Sequence, residues 1–235
     1  MMGVNHALEG AAGGIATLPW CPHPDMAHQA AWVAAWTGSA LMPDLDSKRS
    51  MASTMWGPAS GMLYDTVSTL AGGHRHLTHD LILAPLLAVV LVGVGSHSHM
   101  GRMITVAIVL GLATRAILVS IATWLTALCT LLVSIAGAWW VVSHNLDLGA
   151  GLVVCIVGGI LVHLAGDAIT VARLPMPIAW IFGSTSKIGV GIFRAGKSFE
   201  TLVVTPANLL VVAWLAQAQF GWWSWLRPQL TALGI

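Results

Sequence analysis

The sequence predicts an all-α fold: a polytopic transmembrane helix bundle of about five to seven membrane helices, forming one integral membrane domain over residues 1–235. Three observations predict it. Hydrophobic residues make up 57% of the chain and charged residues only 8%, whereas a soluble domain carries about a quarter charged because its surface faces water. Mean hydropathy is +0.81, so most of the surface must face lipid. Apolar stretches of near-spanning length recur along the chain, separated by two polar segments at about 43–80 and 173–200.

A membrane helix needs about 20 apolar residues. Residues 6–18 are apolar but short, and read as a re-entrant or tilted helix. Spans are expected at 26–42 and 81–96. The block 103–142 is too long for one crossing, since 1.5 Å per residue gives about 60 Å against a hydrocarbon core of about 30 Å. It is expected to fold as two helices, with Arg115 near the membrane surface at their junction. Further spans are expected at 148–172 and 201–220. Trp139, Trp140, Trp222, Trp223 and Trp225 cluster at span ends, where amphipathic rings prefer the headgroup region.

The two polar segments carry Lys48, Arg49, Arg75, Arg173, Lys187, Arg194 and Lys197, whereas the hairpin 143–147 has no Lys or Arg. Positive segments stay cytoplasmic. Both fall on one side only if 103–142 crosses twice, which supports the two-helix reading independently of length. The N-terminus lands inside only if 6–18 also crosses. No basic n-region precedes His6 and Glu9, so a cleavable signal peptide is not expected. Cys21, Cys129 and Cys155 form no CxxC pair and are expected as small core residues. A net charge of +1 argues against a nucleic-acid partner, which needs a clustered basic face.

Charged groups inside spans cost about 2.5–3.5 kcal/mol each on insertion scales and need a reason. His163 and Asp167 stand four apart in the span 148–172, on one helix face. Imidazole and carboxylate on one face are competent ligands for zinc, manganese or iron; a hydrogen-bonded structural pair is the alternative. Asp44 and Asp46 close the span 26–42. Alone, Asp-Leu-Asp reads as a solvated loop or helix cap, yet two close carboxylates repel unless a cation lies between them. His74, His76 and His79 gather just before the span 81–96, in a chain with ten histidines in all. Arg75 beside them offers a planar fork for phosphate oxygens. Topology places Asp44, Asp46, His74, His79, His163, Asp167 and Glu200 at one membrane boundary. His23, His28, His97, His99 and His144 fall on the opposite side and read as ordinary loop residues.

The order His6, Leu41-Met42-Pro43-Asp44-Leu45-Asp46, His74-Arg75-x-x-Thr78-His79, His163-x-x-x-Asp167-x-x-Thr170 and Gly196-Lys197-Ser198-Phe199-Glu200 resembles the YdjM-like membrane-bound hydrolases, over nearly the whole chain from His6 to about Glu200. The resemblance implies a metal-dependent hydrolase of the bacterial inner membrane, phospholipase-like and distantly related to the zinc-dependent phospholipase C and nuclease superfamily. It implies His6, Asp44, His74, His79, His163 and Asp167 as metal ligands. Asp46 and Glu200 are implied for a second metal, a general base or an outer shell. The chain departs from the family pattern at His76 and Asp80, where a small residue and a serine are usual; this could add a ligand. A Pro-x-Gly turn usually follows Thr170, but here Val171-Ala172-Arg173 intervenes, leaving the geometry of the substrate-facing loop open.

Three functions fit these residues. The first is a hydrolase holding one or two divalent ions, zinc foremost and manganese or iron next, that cleaves a lipid-like phosphoester at the cytoplasmic face. Asp46 or Glu200 would take a proton from water, Arg75 would bind phosphate, and membrane lipid would supply the substrate. The second is an ion or metal transporter, against which the polar groups are confined to one side. The third is a non-catalytic adaptor whose cluster only ties helices together.

Overall fold

The computed structural model describes residues 1–118, 123–221 and 231. The fold is all-α: α1 (Gly3–Ala16), α2 (Met26–Ser39), α3 (Ala59–Leu70), α4 (Leu83–Ser96), α5 (His99–Ile117), α6 (Thr123–Ser143), α7 (Gly151–Ile169) and α8 (Thr205–Phe220), the last led by a π-helical turn at Glu200–Val204. Among the described residues, the β-structure is the antiparallel pair β1 (Leu174–Pro175) and β2 (Lys187–Ile188) and a bridge from Thr170 to Phe193. Among the described residues, four helices are long and apolar enough to cross a membrane: His99–Ile117, Trp124–Ser143, Gly151–Ile169 and Glu200–Phe220. The shorter α4 is also apolar. The chain is a membrane protein by this measure. Its outer helix faces carry bare leucines, with Leu91 60%, Leu132 58% and Leu210 71% exposed.

Residues 103–142 do form two helices. Helix α5 ends at Ile117 with Arg115 in its last turn, where a cation complements the negative end of the helix dipole. Residues 119–122 between them lie outside the described residues, as do Trp222, Trp223 and Trp225. Two expectations change. The span predicted at 26–42 is helical only to Ser39 and then tightens into a 3-10 turn, Met42–Asp46, because Pro43 removes a backbone donor. Helix α2 is thus about 21 Å long, short of the hydrocarbon core. The polar segment 43–80 contains α3, whose Leu63 and Val67 pack against Leu41, Leu45, Met55 and Leu112.

Helix α2 is the hub, packing on α1, α5 and α7. Its Trp32 and Trp36 meet Val106 and Val109 of α5 and Ile156, Ile160 and Leu164 of α7. Two glycines let backbones touch, as small residues do between membrane helices. A Cβ on Gly38 would stand 2.2 Å from the Val109 carbonyl oxygen, and one on Gly159 2.8 Å from the Ala40 nitrogen and the Trp36 oxygen. The second contact lays the middle of α7 on the end of α2. Long-range contacts gather the starts of α1, α4 and α8 and the ends of α2 and α7 at one end of the bundle. Both polar segments lie there.

Candidate metal centre

Three imidazoles and two carboxylates converge at that end. His6 comes from the first turns of α1, His163 and Asp167 from successive turns of α7, Asp44 from the 3-10 turn after α2, and His79 from the 3-10 turn Leu77–His79 that precedes α4. The rings of His6 and His163 stack with centroids 3.7 Å apart. His79 Nε2 lies 3.3 Å from His163 Nε2, 3.6 Å from Asp167 Oδ2 and 3.9 Å from Asp44 Oδ1. His6 Nε2 is 3.4 Å from Asp167 Oδ1, and His163 Nε2 is 4.0 Å from Asp167 Oδ2. Ligand atoms of His6, Asp44 and His163 all lie within 4.8 Å of one another, as do those of His79, His163 and Asp167. The three histidines are fully buried, and Asp167 is 1% exposed.

The opposite ring nitrogens explain why the Nε2 atoms face each other. His163 Nδ1 lies 2.8 Å from the Ala40 carbonyl oxygen, an acceptor only, so Nδ1 carries the proton and Nε2 a lone pair. His79 Nδ1 is 3.0 Å from Thr78 Oγ1 and 3.6 Å from Asp46 Oδ2. Thr78 donates its hydroxyl to Asp46, so it accepts from His79, which assigns the same tautomer. His6 Nδ1 faces Glu9 Oε2 at 3.7 Å, too long for a hydrogen bond. Two lone pairs therefore oppose each other at 3.3 Å, ringed by carboxylate oxygens, and both ring nitrogens of His6 are buried without a partner. A buried polar atom without a partner costs about 1–3 kcal/mol. One proton would relieve a single nitrogen pair, whereas a divalent cation satisfies the whole donor set. Imidazole with carboxylate suits zinc, manganese or iron, and Nδ1 bonded to a carbonyl or carboxylate is the usual support behind a metal-binding imidazole. The residues fit a metal.

Asp46 holds a second group together. It is 1% exposed, and its oxygens meet His74 Nδ1 at 2.8 Å, the Arg75 N–H at 3.1 Å and the Thr78 hydroxyl. Burial raises its pKa, but the bonds from His74, His79 and Thr78 outweigh this and hold the carboxyl below the usual carboxylate range. Ligand atoms of Asp46, His74 and His79 also lie within 4.8 Å of one another, so His79 belongs to both groups through its two nitrogens. His74 is 43% exposed at its side chain and sits on the outer side of this pair, apart from His6 and His163.

Other residues singled out in the sequence take different parts. Glu200 is fully buried, but its oxygens accept from the Met2 N–H at 2.6 Å, Asn5 Nδ2 at 2.8 Å and the Gly196 N–H at 2.6 Å. Three of its acceptor positions are taken, which makes it a clamp joining the start of α1 to the start of α8. Arg75, held at φ +63°, places Nη2 2.6 Å from Asp167 Oδ2 and donates Nη1 to the Arg173 carbonyl at 2.9 Å; the Met1 amino group contacts the other Asp167 oxygen. His76 and Asp80 add no ligand. His76 stacks on Trp180 at 5.2 Å. Asp80 accepts from the N–H groups of Ile82, Leu83 and Ile178 and from Trp180 Nε1, tying the 173–200 segment to the start of α4. Burial raises the Asp80 pKa, and those donors outweigh it to lower the pKa overall. Glu9 went unread as part of the site, although its i,i+3 spacing from His6 in an otherwise apolar helix was the available signal.

Comparison of the chain with protein-family models, with curated proteins and with solved structures gives no match.

Proposed function

We propose that the chain is a membrane-bound, metal-dependent hydrolase of the YdjM-like kind, acting on a lipid-like phosphoester at the cytoplasmic face of the inner membrane. The observation that carries this reading is the inward pairing of His79 and His163 Nε2 at 3.3 Å among buried carboxylates, at the end of a bundle whose helices face lipid. His6, His79, His163, Asp44 and Asp167 would hold the ion, with zinc the first choice for such donors. A bound divalent ion lowers the pKa of a coordinated water toward about 7 and polarises a phosphoryl or carbonyl oxygen.

The protein's own groups supply the rest. Arg75 is 21% exposed at its side chain, and its fork can take a phosphate oxygen in place of one of its present partners. The buried Asp46 carboxylate accepts from His74 Nδ1 at 2.8 Å, which leaves His74 Nε2 free on the exposed side of the pair. That arrangement suits His74 to take a proton from the attacking water or return it to the leaving oxygen, with Asp46 holding the ring in place. The cluster's confinement to one end of the bundle favours hydrolysis over an ion path, which needs polar groups at several depths.

The test is turnover by detergent-purified protein of a labelled phospholipid and of a water-soluble phosphodiester, with zinc added and after chelation. His163→Ala and Asp44→Asn variants run beside the wild type. Chelator-sensitive hydrolysis that both variants abolish is expected. No turnover by metal-loaded wild type, together with metal flux in liposomes, would replace the hydrolase by a transporter.

A further inference from the structure

An apolar groove of about 410 Å³ lies between α4 and α5, floored by α7 and flanked by α3. Helices α4 and α5 touch at their joined ends, where a Cβ on Gly101 would stand 2.3 Å from the Gly95 oxygen. From there the lining runs toward the candidate metal centre, where Pro43, Leu45 and Thr78 bound its other end. Over the eleven steps from Ala84 to Gly95 it runs about 16 Å along the helix. Leu91 and Ile104 stand on its rims, 60% and 53% exposed, which leaves it open sideways to lipid.

Three features decide the occupant. No charged side chain lines the groove. Its two hydroxyls are already committed, Thr78 to Asp46 and Thr105 to the Gly101 carbonyl, so nothing inside asks for a polar partner. Its other end adjoins the ligand set: Pro43 and Leu45 of the lining flank Asp44, and Thr78 precedes His79. The occupant must therefore be an unbranched apolar chain carrying a polar head at one end. A groove bounded at one end by the Gly95–Gly101 contact and at the other by residues beside Asp44 and His79 suits a single thin chain, of constant width along its methylenes, with its head at one end.

We infer that this groove seats one acyl chain of a membrane lipid, tail toward Gly95 and head at the His/Asp cluster. Resting on the hydrolase reading only for what happens at the head, the inference names the substrate class: an acyl-chain lipid entering sideways from the bilayer, selected by chain length. A tail longer than the groove meets the closed end.

The full chain in nanodiscs of phosphatidylcholine carrying a photoactivatable diazirine near the tail end tests this. Adducts are expected to concentrate on Leu91 and Ile104, above those on the equally exposed Leu132 of α6. Ile104→Trp, a change at a half-exposed rim that leaves the core packing alone, should cut the Leu91 adducts about tenfold, the effect of excluding two methylenes from an apolar site. Leu132→Trp should leave them unchanged. Adducts spread evenly over Leu91, Ile104, Leu132 and Leu210, unmoved by Ile104→Trp, would overturn the acyl site. The two readings fail separately. Groove adducts without turnover overturn hydrolysis alone, and turnover of a soluble phosphodiester with even adducts overturns the groove alone.

Discussion

Replacing His163 by alanine removes a ring that bonds the Ala40 carbonyl on one side and presents Nε2 to His79 on the other. Without metal, the variant leaves a buried carbonyl without its donor, a cost of about 1–3 kcal/mol. In a chain of this size each kcal/mol moves the unfolding midpoint by about 2–4 °C, so a fall of about 2–12 °C is expected. With zinc at about a hundred times its dissociation constant, the wild type gains about 2.7 kcal/mol, or about 5–10 °C. That gain should vanish in His163→Ala and persist in His74→Ala, because His74 sits with Asp46 outside the three-histidine group. Midpoints come from fluorescence-monitored melting in detergent after chelation and on readdition of zinc, with metal content read by mass spectrometry. A zinc shift retained by His163→Ala and lost by His74→Ala would refute the assignment and place the ion between Asp46, His74 and His79. No shift with zinc, manganese or iron in folded wild type would remove the metal centre altogether.

Glu9→Leu removes a carboxylate that stands 3.7 Å from His6 Nδ1, beyond hydrogen-bond reach, and should weaken zinc binding by less than about tenfold, measured by competition with a chromophoric chelator; a larger loss would make Glu9 a support behind His6. Gly159→Leu sets a side chain against the Ala40 nitrogen and Trp36 oxygen at 2.8 Å, atoms that cannot swing aside. Pushing α7 off α2 should cost about 1–3 kcal/mol and weaken the zinc-induced shift, and a variant melting with the wild type would contradict the backbone contact. Asp80 has a lowered folded pKa, so its stabilisation is complete above the unfolded value of about 3.9 and is lost as pH falls through the folded pKa. Asp80→Asn should therefore melt lower than wild type at pH 7, with the gap narrowing below pH of about 4 in circular-dichroism melts, and a gap constant with pH would deny the linkage.

The membrane helices were legible as apolar runs because lipid imposes a local rule: each span needs its own run of apolar residues, and an over-long run must break. Residues 103–142 obeyed it. The i,i+4 pairing of His163 and Asp167 was equally local, set by 3.6 residues per turn. Helix α3 was harder to see, since Asp65 and the flanking polar residues mask a stripe that needs only Leu63 and Val67 to dock.

What the chain order determined alone is membrane character, the break within residues 103–142 and the polar residues held near one boundary. Tertiary packing decided the chemistry. The Ala40 carbonyl that orients His163 lies 123 positions away and, being backbone, leaves no mark in the side-chain pattern. Donors from Met2, Asn5 and Gly196 make Glu200 a clamp between α1 and α8, and donors from Ile178 and Trp180 draw Asp80 into the scaffold. Helix periodicity is a short-range property of the backbone. The side of an imidazole that keeps its lone pair depends on whichever acceptor the folded chain brings to the other side.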